Sequence, residues 1–242
     1  MLRPPSNTPP FTAAAVPTTT AAAVEGLLRD LGPQLRRGGA RTESTARLAT
    51  GISEIDRLLE GGFPRGRLSE IAGTTSSGRT SLALALLARS TAAGEVTAVV
   101  DCADAFDPGS AHNAGVLLDR VLWVRTARAP QALRCAERLL EAHGFALVLL
   151  DLAIPDFRSA PATALRLARR AESTGTALVA LTQGRALGTA AEVAIELAPA
   201  RTRFTGTPAL LEGLDLQVNL VRHRGISGPR HATVRLRVTR AA

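Results

Sequence analysis

From Leu68 onward the chain alternates short apolar runs with longer stretches of helical periodicity. The runs Leu68–Ala72, Val96–Asp101, Val121–Arg125, Ala146–Asp151 and Ala177–Thr182 are almost continuous in Leu, Val, Ile and Ala, the pattern of strands buried on both faces. Between them, stretches near Thr80–Ala93, Gly109–Leu118, Pro130–His143 and Ala160–Ser173 carry apolar residues at helical spacing. This alternation predicts an α/β fold: a mainly parallel twisted sheet flanked by helices. After Thr182 the pattern changes. Glu192–Ala198, Leu214–Arg222 and His231–Val238 read as strands joined by turns, an antiparallel C-terminal part. In the last of them Val234, Leu236 and Val238 alternate with Arg235 and Arg237, which predicts one buried and one basic face.

Ahead of the core, residues 1–23 are rich in Pro, Thr and Ala, carry Arg3 as their one charged side chain, and read as a disordered tail. Residues 24–47 hold a short amphipathic helix and a linker. Val24, Leu27, Leu28, Leu31 and Leu35 fall near helical spacing, so Leu27 and Leu31 are candidates for docking on a neighbour or on the chain's own core. Residues 48–242 form the core domain.

Composition narrows the classes. Of 242 residues 45% are hydrophobic, yet no run approaches the roughly 20 apolar residues of a membrane span, and the N-terminus does not read as a secretory leader. A cytoplasmic location is the expectation. Cys102 and Cys135 are too few for a disulfide framework, and the four histidines lack ligand spacing, so no metal site is expected. All 29 basic residues are arginine and the net charge is +8. Residues 201–242 contain eight arginines against Glu212 and Asp215. Such a segment suits nucleic acid or an acidic partner, or is a solvated basic face. Aromatics are only 3%, which leaves few stacking platforms for single strands.

One stretch carries recognisable chemistry. Gly73–Ser81, GTTSSGRTS, follows an apolar run and precedes a helical pattern, where a phosphate-binding loop belongs. Gly73, Gly78 and Thr80 match that pattern. Arg79 stands where it has lysine. A planar guanidinium is a poor substitute for a compact ammonium in a tight cradle.

Several segments, taken in order, resemble RecA: Thr50-Gly51-Ile52, then GGFPRGRLSEIAG, SSGRTSLAL, DCADAFDP, NAGVLLDRVL, FALVLLDLA ending its strand in Asp151, Thr182-Gln183, and LQVNLVRHRGISGPRHATVRLRV. The match runs from about Leu48 to Val238. It implies a RecA-like P-loop core and places Gly73, Gly78, Arg79, Thr80, Asp151 and Gln183 in a nucleotide site. Gln183 would sense the terminal phosphate. Arg222 and Arg224 align with two lysines that in RecA reach the neighbouring subunit's ATP.

The departures from RecA change what the resemblance implies. Ala103 falls where RecA has its water-activating glutamate, and an alanine cannot move a proton. Asp104 is a displaced substitute. Ser110 replaces the tyrosine that stacks on adenine. The segments holding RecA's DNA-binding loops are short here. Within the group the chain is similar to ImuA, a RecA-like accessory protein of bacterial SOS mutagenesis cassettes. That similarity implies a catalytically degenerate partner of RecA or of error-prone polymerases in translesion synthesis, with weak or absent Mg-ATP binding. Two other readings stay open: an active DNA-dependent ATPase or recombinase, and a DNA-binding module using Arg222, Arg224, Arg230, Arg235 and Arg237.

Overall fold

The computed structural model describes residues 46–198, 201–223 and 230–237, with side chains through Arg235 in the last segment. The tail, the Val24–Arg37 segment with Leu27 and Leu31, and Arg224 lie outside the described residues.

The described chain opens with β1 (Arg47–Leu48), paired antiparallel with β2 (Phe63–Pro64), and α1 (Ser53–Leu58) lies between them. No side chain caps α1 at Ile52. Asp56 instead reaches back and accepts the Thr50 N–H at 2.7 Å, the Thr50 hydroxyl at 2.8 Å and the Gly51 N–H at 3.1 Å. Bonds to an ionised acceptor are the stronger kind. Asp56→Ala is expected to cost about 2 kcal/mol, a fall of roughly 4–8 °C in the melting temperature of a chain this size. Thermal unfolding by circular dichroism measures it. A loss under about 0.5 kcal/mol would mean the turn holds without this carboxylate.

The core follows as β3 (Leu68–Gly73), α2 (Arg79–Ala92), β4 (Thr97–Asp101), α3 (Pro108–Asn113), β5 (Val121–Arg125), α4 (Ala129–Ala142), β6 (Leu147–Asp151), α5 (Pro161–Thr174), β7 (Ala177–Thr182), β8 (Val193–Leu197), β9 (Arg201–Thr205), β10 (Leu210–His223) and β11 (Arg230–Arg237). The strands form one sheet in the order β11-β10-β8-β3-β7-β6-β4-β5, with β9 also on β10. Pairings from β8 through β5 are parallel, and those of β10 are antiparallel. This is the α/β architecture that the apolar pattern predicts.

Strand alternation divides the core into two layers. Ile71, Val99, Leu149, Val179 and Ile195 pack in one cluster with Leu82, Leu86 and Leu87 of α2. The alternate residues Ala98, Val100, Val148, Leu150, Leu178 and Ala180 are also fully buried. They lie on the side covered by α4 and α5, which pack on each other and bury the small side chains Ala132, Ala136, Ala164 and Ala171. No helix among the described residues is long and apolar enough to cross a membrane.

Two elements differ from expectation. The helix expected over Gly109–Leu118 stops at Asn113, because the chain turns at Gly115 (φ +89°) and Val116 N–H returns to Ala111 O at 3.0 Å. The C-terminal strands are also longer than the pattern suggests. β10 begins at Leu210, four residues before the expected start, and forms a hairpin with β9, which has no counterpart in the sequence reading. The hairpin's two strands are mostly exposed, with Phe204 60%, Leu210 47% and Leu211 43% accessible. No buried face gives them a clean alternation.

Candidate phosphate-loop site

Sheet register sets the site. Asp101 of β4 pairs with Asp151 of β6, Asp151 pairs with Leu181 of β7, Thr182 pairs with Ala72, and Gly73 pairs with Leu197 of β8. The carboxyl ends of four parallel strands thus form one row, the edge where open α/β sheets bind ligands. The loop 74–78 rises from that row, and α2 starts at Arg79 with its N-terminus on the loop. A cavity of about 320 Å³ opens there, lined by Thr74 and residues 76–81 and by Thr202 and Leu214 of the β9–β10 hairpin. Thr80 is exposed to this cavity, while Ser77 is buried and its hydroxyl has no partner.

Gly78 is fixed by both conformation and space. Its φ is +86°, and a Cβ there would stand 2.5 Å from Leu216 Cδ2 of β10. Leu216 is fully buried. The loop therefore rests directly on a core side chain of the C-terminal sheet.

Arg79 does not point at the cavity as a free cation. Its Nη1 donates to the carbonyl of Gly73 and, at 3.0 Å, to the carbonyl of Thr182. Its Nε is buried without a partner. Burial lowers the guanidinium pKa and the charge of Asp151 opposes that shift, but arginine stays protonated.

Asp151 is buried at the strand end and accepts Ala153 N–H at 2.9 Å. Burial raises its pKa above the ordinary carboxylate value; the Ala153 bond and Arg79 work against the shift and Asp101 adds to it. The folded state therefore holds this proton more tightly than the unfolded state, and stability falls as pH rises from the unfolded pKa through the folded one. Asp151→Asn keeps an acceptor for Ala153 and removes the buried charge. The variant should be the more stable form at neutral pH, with an advantage that shrinks as pH falls through that window. Urea melts across pH test this. An Asn variant that is less stable at pH 7 would show that the carboxylate's charge is needed for folding.

Asp101, also buried, accepts the N–H groups of Ala105 and Phe106, each at 3.1 Å, and so shapes the turn after β4. In that turn Ala103 is half-buried, and Asp104 sits at φ +51° with its side chain facing outward. Asp104 Oδ1 takes Arg125 Nη2 at 2.6 Å and Nε at 3.0 Å. Arg125 in turn lies 5.5 Å over the Trp123 ring. Asp104 is thus engaged at edge strand β5, and neither it nor Ala103 lines the cavity. Ser110 serves α3, its N–H bonded to the Asp107 cap at 2.7 Å.

The turns after β6 and β7 are tied to each other. Gln183 Nε2 donates to Ala153 O at 3.0 Å, and Ser159 N–H bonds Ala186 O at 3.0 Å. Beneath them lies Glu70 of β3, fully buried. Its Oε1 accepts the Thr182 hydroxyl at 3.0 Å and the N–H groups of Ala186 at 2.6 Å and Leu187 at 3.3 Å. Sequence reading passed over Glu70, although a lone carboxylate inside the run LSEIAG is a signal.

The basic C-terminal residues are not one free array. Arg235 pairs with Asp215 at 3.2 Å and Arg230 with Glu60 at 3.4 Å. Arg222 is half-buried beside a bulge in β10, with its Nε unpartnered. Arg237 pairs its backbone with Gly213.

A sequence-family comparison identifies the architecture. Residues 23–156 match the model of the RecA N-terminal domain. The chain belongs to this family. RecA of Picosynechococcus sp. is 34% identical over 120 residues, covering 50% of this chain and 34% of that protein. RecA of Rubrobacter xylanophilus is 36% identical over 121 residues, covering 50% and 35%. RecA of Chlorobium chlorochromatii is 39% identical over 105 residues, covering 43% and 30%. The matched part of this chain spans about a third of each relative. Among solved structures, the RadB recombinase crystal structure matches with a TM-score of 0.61 and 21% identity, covering 78% of this chain and 95% of that one, a likeness of fold.

RecA-family membership implies Mg-ATP. The glycine loop, the α2 N-terminus and Thr80 suit phosphates and a metal. Arg79 does not, because its donors are committed to backbone carbonyls. The site also lacks a carboxylate at the Ala103 position. As arranged, these residues do not fit a nucleotide undergoing hydrolysis.

Proposed function

We propose that this RecA-family protein is an accessory subunit of the DNA-damage response rather than a motor. It works through protein contacts and with weak or absent Mg-ATP binding. The role is that of ImuA-type proteins in SOS translesion mutagenesis, with RecA or the error-prone polymerase machinery as partner. One observation carries this reading: the turn after β4 offers no positioned base, since Ala103 has no carboxylate and Asp104 is held by Arg125. Loss of a positioned base removes about 10²–10⁴ in rate. The two arginines whose charges are paired, Arg230 and Arg235, also favour protein contact over a dedicated DNA groove.

The test is ATP turnover by the purified full chain, with and without single-stranded DNA, followed by pull-down with purified RecA and polymerase subunits. Turnover at background and retention of RecA or a polymerase subunit are the expected results. DNA-stimulated turnover abolished by Thr80→Ala would replace this reading with that of an active recombinase. Binding to DNA alone, with a steep salt dependence, would favour a DNA-binding module.

A further inference from the structure

We infer that Arg79 is a built-in occupant of the phosphate loop, a latch joining the ends of β3 and β7 in place of a nucleotide. Gly73 ends the strand that leads into the loop, and Thr182 ends the strand that leads into Gln183. The guanidinium donates to the carbonyls of both residues. In this position it bridges the loop to the sensor strand, the two elements a bound terminal phosphate would otherwise link. A phosphate and these carbonyls compete for the same donors. Turning Arg79 outward to an anion would break both bonds and leave two acceptors at the row of strand ends without them.

The surroundings hold the latched arrangement from both sides. Glu70, two strand positions before Ala72, fastens Thr182, Ala186 and Leu187. Gln183 is bonded to Ala153, and Ser159 to Ala186. Every element that a terminal phosphate could move is thus bonded to a neighbour within the protein. The turn after β7 is therefore set in one arrangement whether or not nucleotide is present. This latch stands independently of which partner the protein serves.

A lysine at this position has a single ammonium on a flexible stem and can swing to an anion; arginine's planar fork spans two acceptors at once. The test therefore compares the full-length wild type with Arg79→Lys and Arg79→Ala. Binding of Mg-ATP is followed by calorimetry, and amide hydrogen exchange is followed across residues 183–187. The wild type should show no binding up to about 1 mM, the weak end of ordinary substrate affinities. Its exchange pattern should be the same with and without ATP. Arg79→Lys should bind at least about tenfold more tightly and gain protection at 183–187 when ATP is added. Arg79→Ala, with the latch cut and no cation supplied, should exchange faster at Ala186 and Leu187 without nucleotide. It serves as the second readout if the lysine variant does not fold. The latch is refuted if the wild type binds Mg-ATP as tightly as Arg79→Lys. It is also refuted if ATP alters exchange at 183–187 in the wild type, or if Arg79→Ala leaves that exchange unchanged.

Discussion

Glu70→Ala should lower unfolding stability by about 4 kcal/mol, the largest single-residue loss outside the apolar core. Glu70 is fully buried, and one of its oxygens serves three donors: the Thr182 hydroxyl and the N–H groups of Ala186 and Leu187. Truncation strands all three where water does not reach and leaves a void in the sheet's covered layer. The cost per stranded donor is about 1–3 kcal/mol, and the losses overlap because the donors share one acceptor. Glu70→Gln keeps an acceptor oxygen and should lose about 1–2 kcal/mol. Urea unfolding reads both as a shift in midpoint at constant slope. If Glu70→Ala costs no more than an average substitution, about 1 kcal/mol, the turn after β7 is held by other contacts.

The second large effect is expected at the loop's resting point. Gly78→Ala places a methyl 2.5 Å from Leu216 Cδ2 at a backbone φ of +86°. The left-handed conformation costs about 1–2 kcal/mol for a residue with a Cβ. Overpacking against a fully buried leucine adds about 1–3 kcal/mol. A total near 3 kcal/mol is expected. Leu216→Ala alone should cost about 2–5 kcal/mol by leaving a cavity. In the double variant the new methyl has space, so the pair should cost less than the sum by about 1 kcal/mol. Full additivity would mean that the loop does not rest on Leu216 as the structure has it.

The parallel core was legible because each of its strands is buried on both faces. Such strands write themselves as unbroken apolar runs, as in LVLLD and ALVALT. The phosphate loop was legible too, since glycine spacing is a property of sequence alone. What Arg79 does was not, because its two acceptors are carbonyls, and one of them lies 103 residues away. Glu70 was missed for the same reason: its partners are backbone N–H groups beyond the next five strands and helices. The β9–β10 hairpin escaped because its exposure erases the period that marks a strand. Phe204 and Leu211 pair across it, yet apolar residues at the surface read in sequence as a loop.

The central position of β3 also bears on how the chain is made. Its two hydrogen-bonded neighbours, β7 and β8, are the strands that begin at Ala177 and Val193. During synthesis the phosphate-loop strand leaves the ribosome first. It then waits for about a hundred more residues, roughly 5–20 s at usual elongation rates. Throughout that interval an apolar strand with both edges open has no native partner. Pairing across such separations is slow in any chain, so the segment that defines the family is also the one most exposed to aggregation and to chaperone capture before the sheet closes around it.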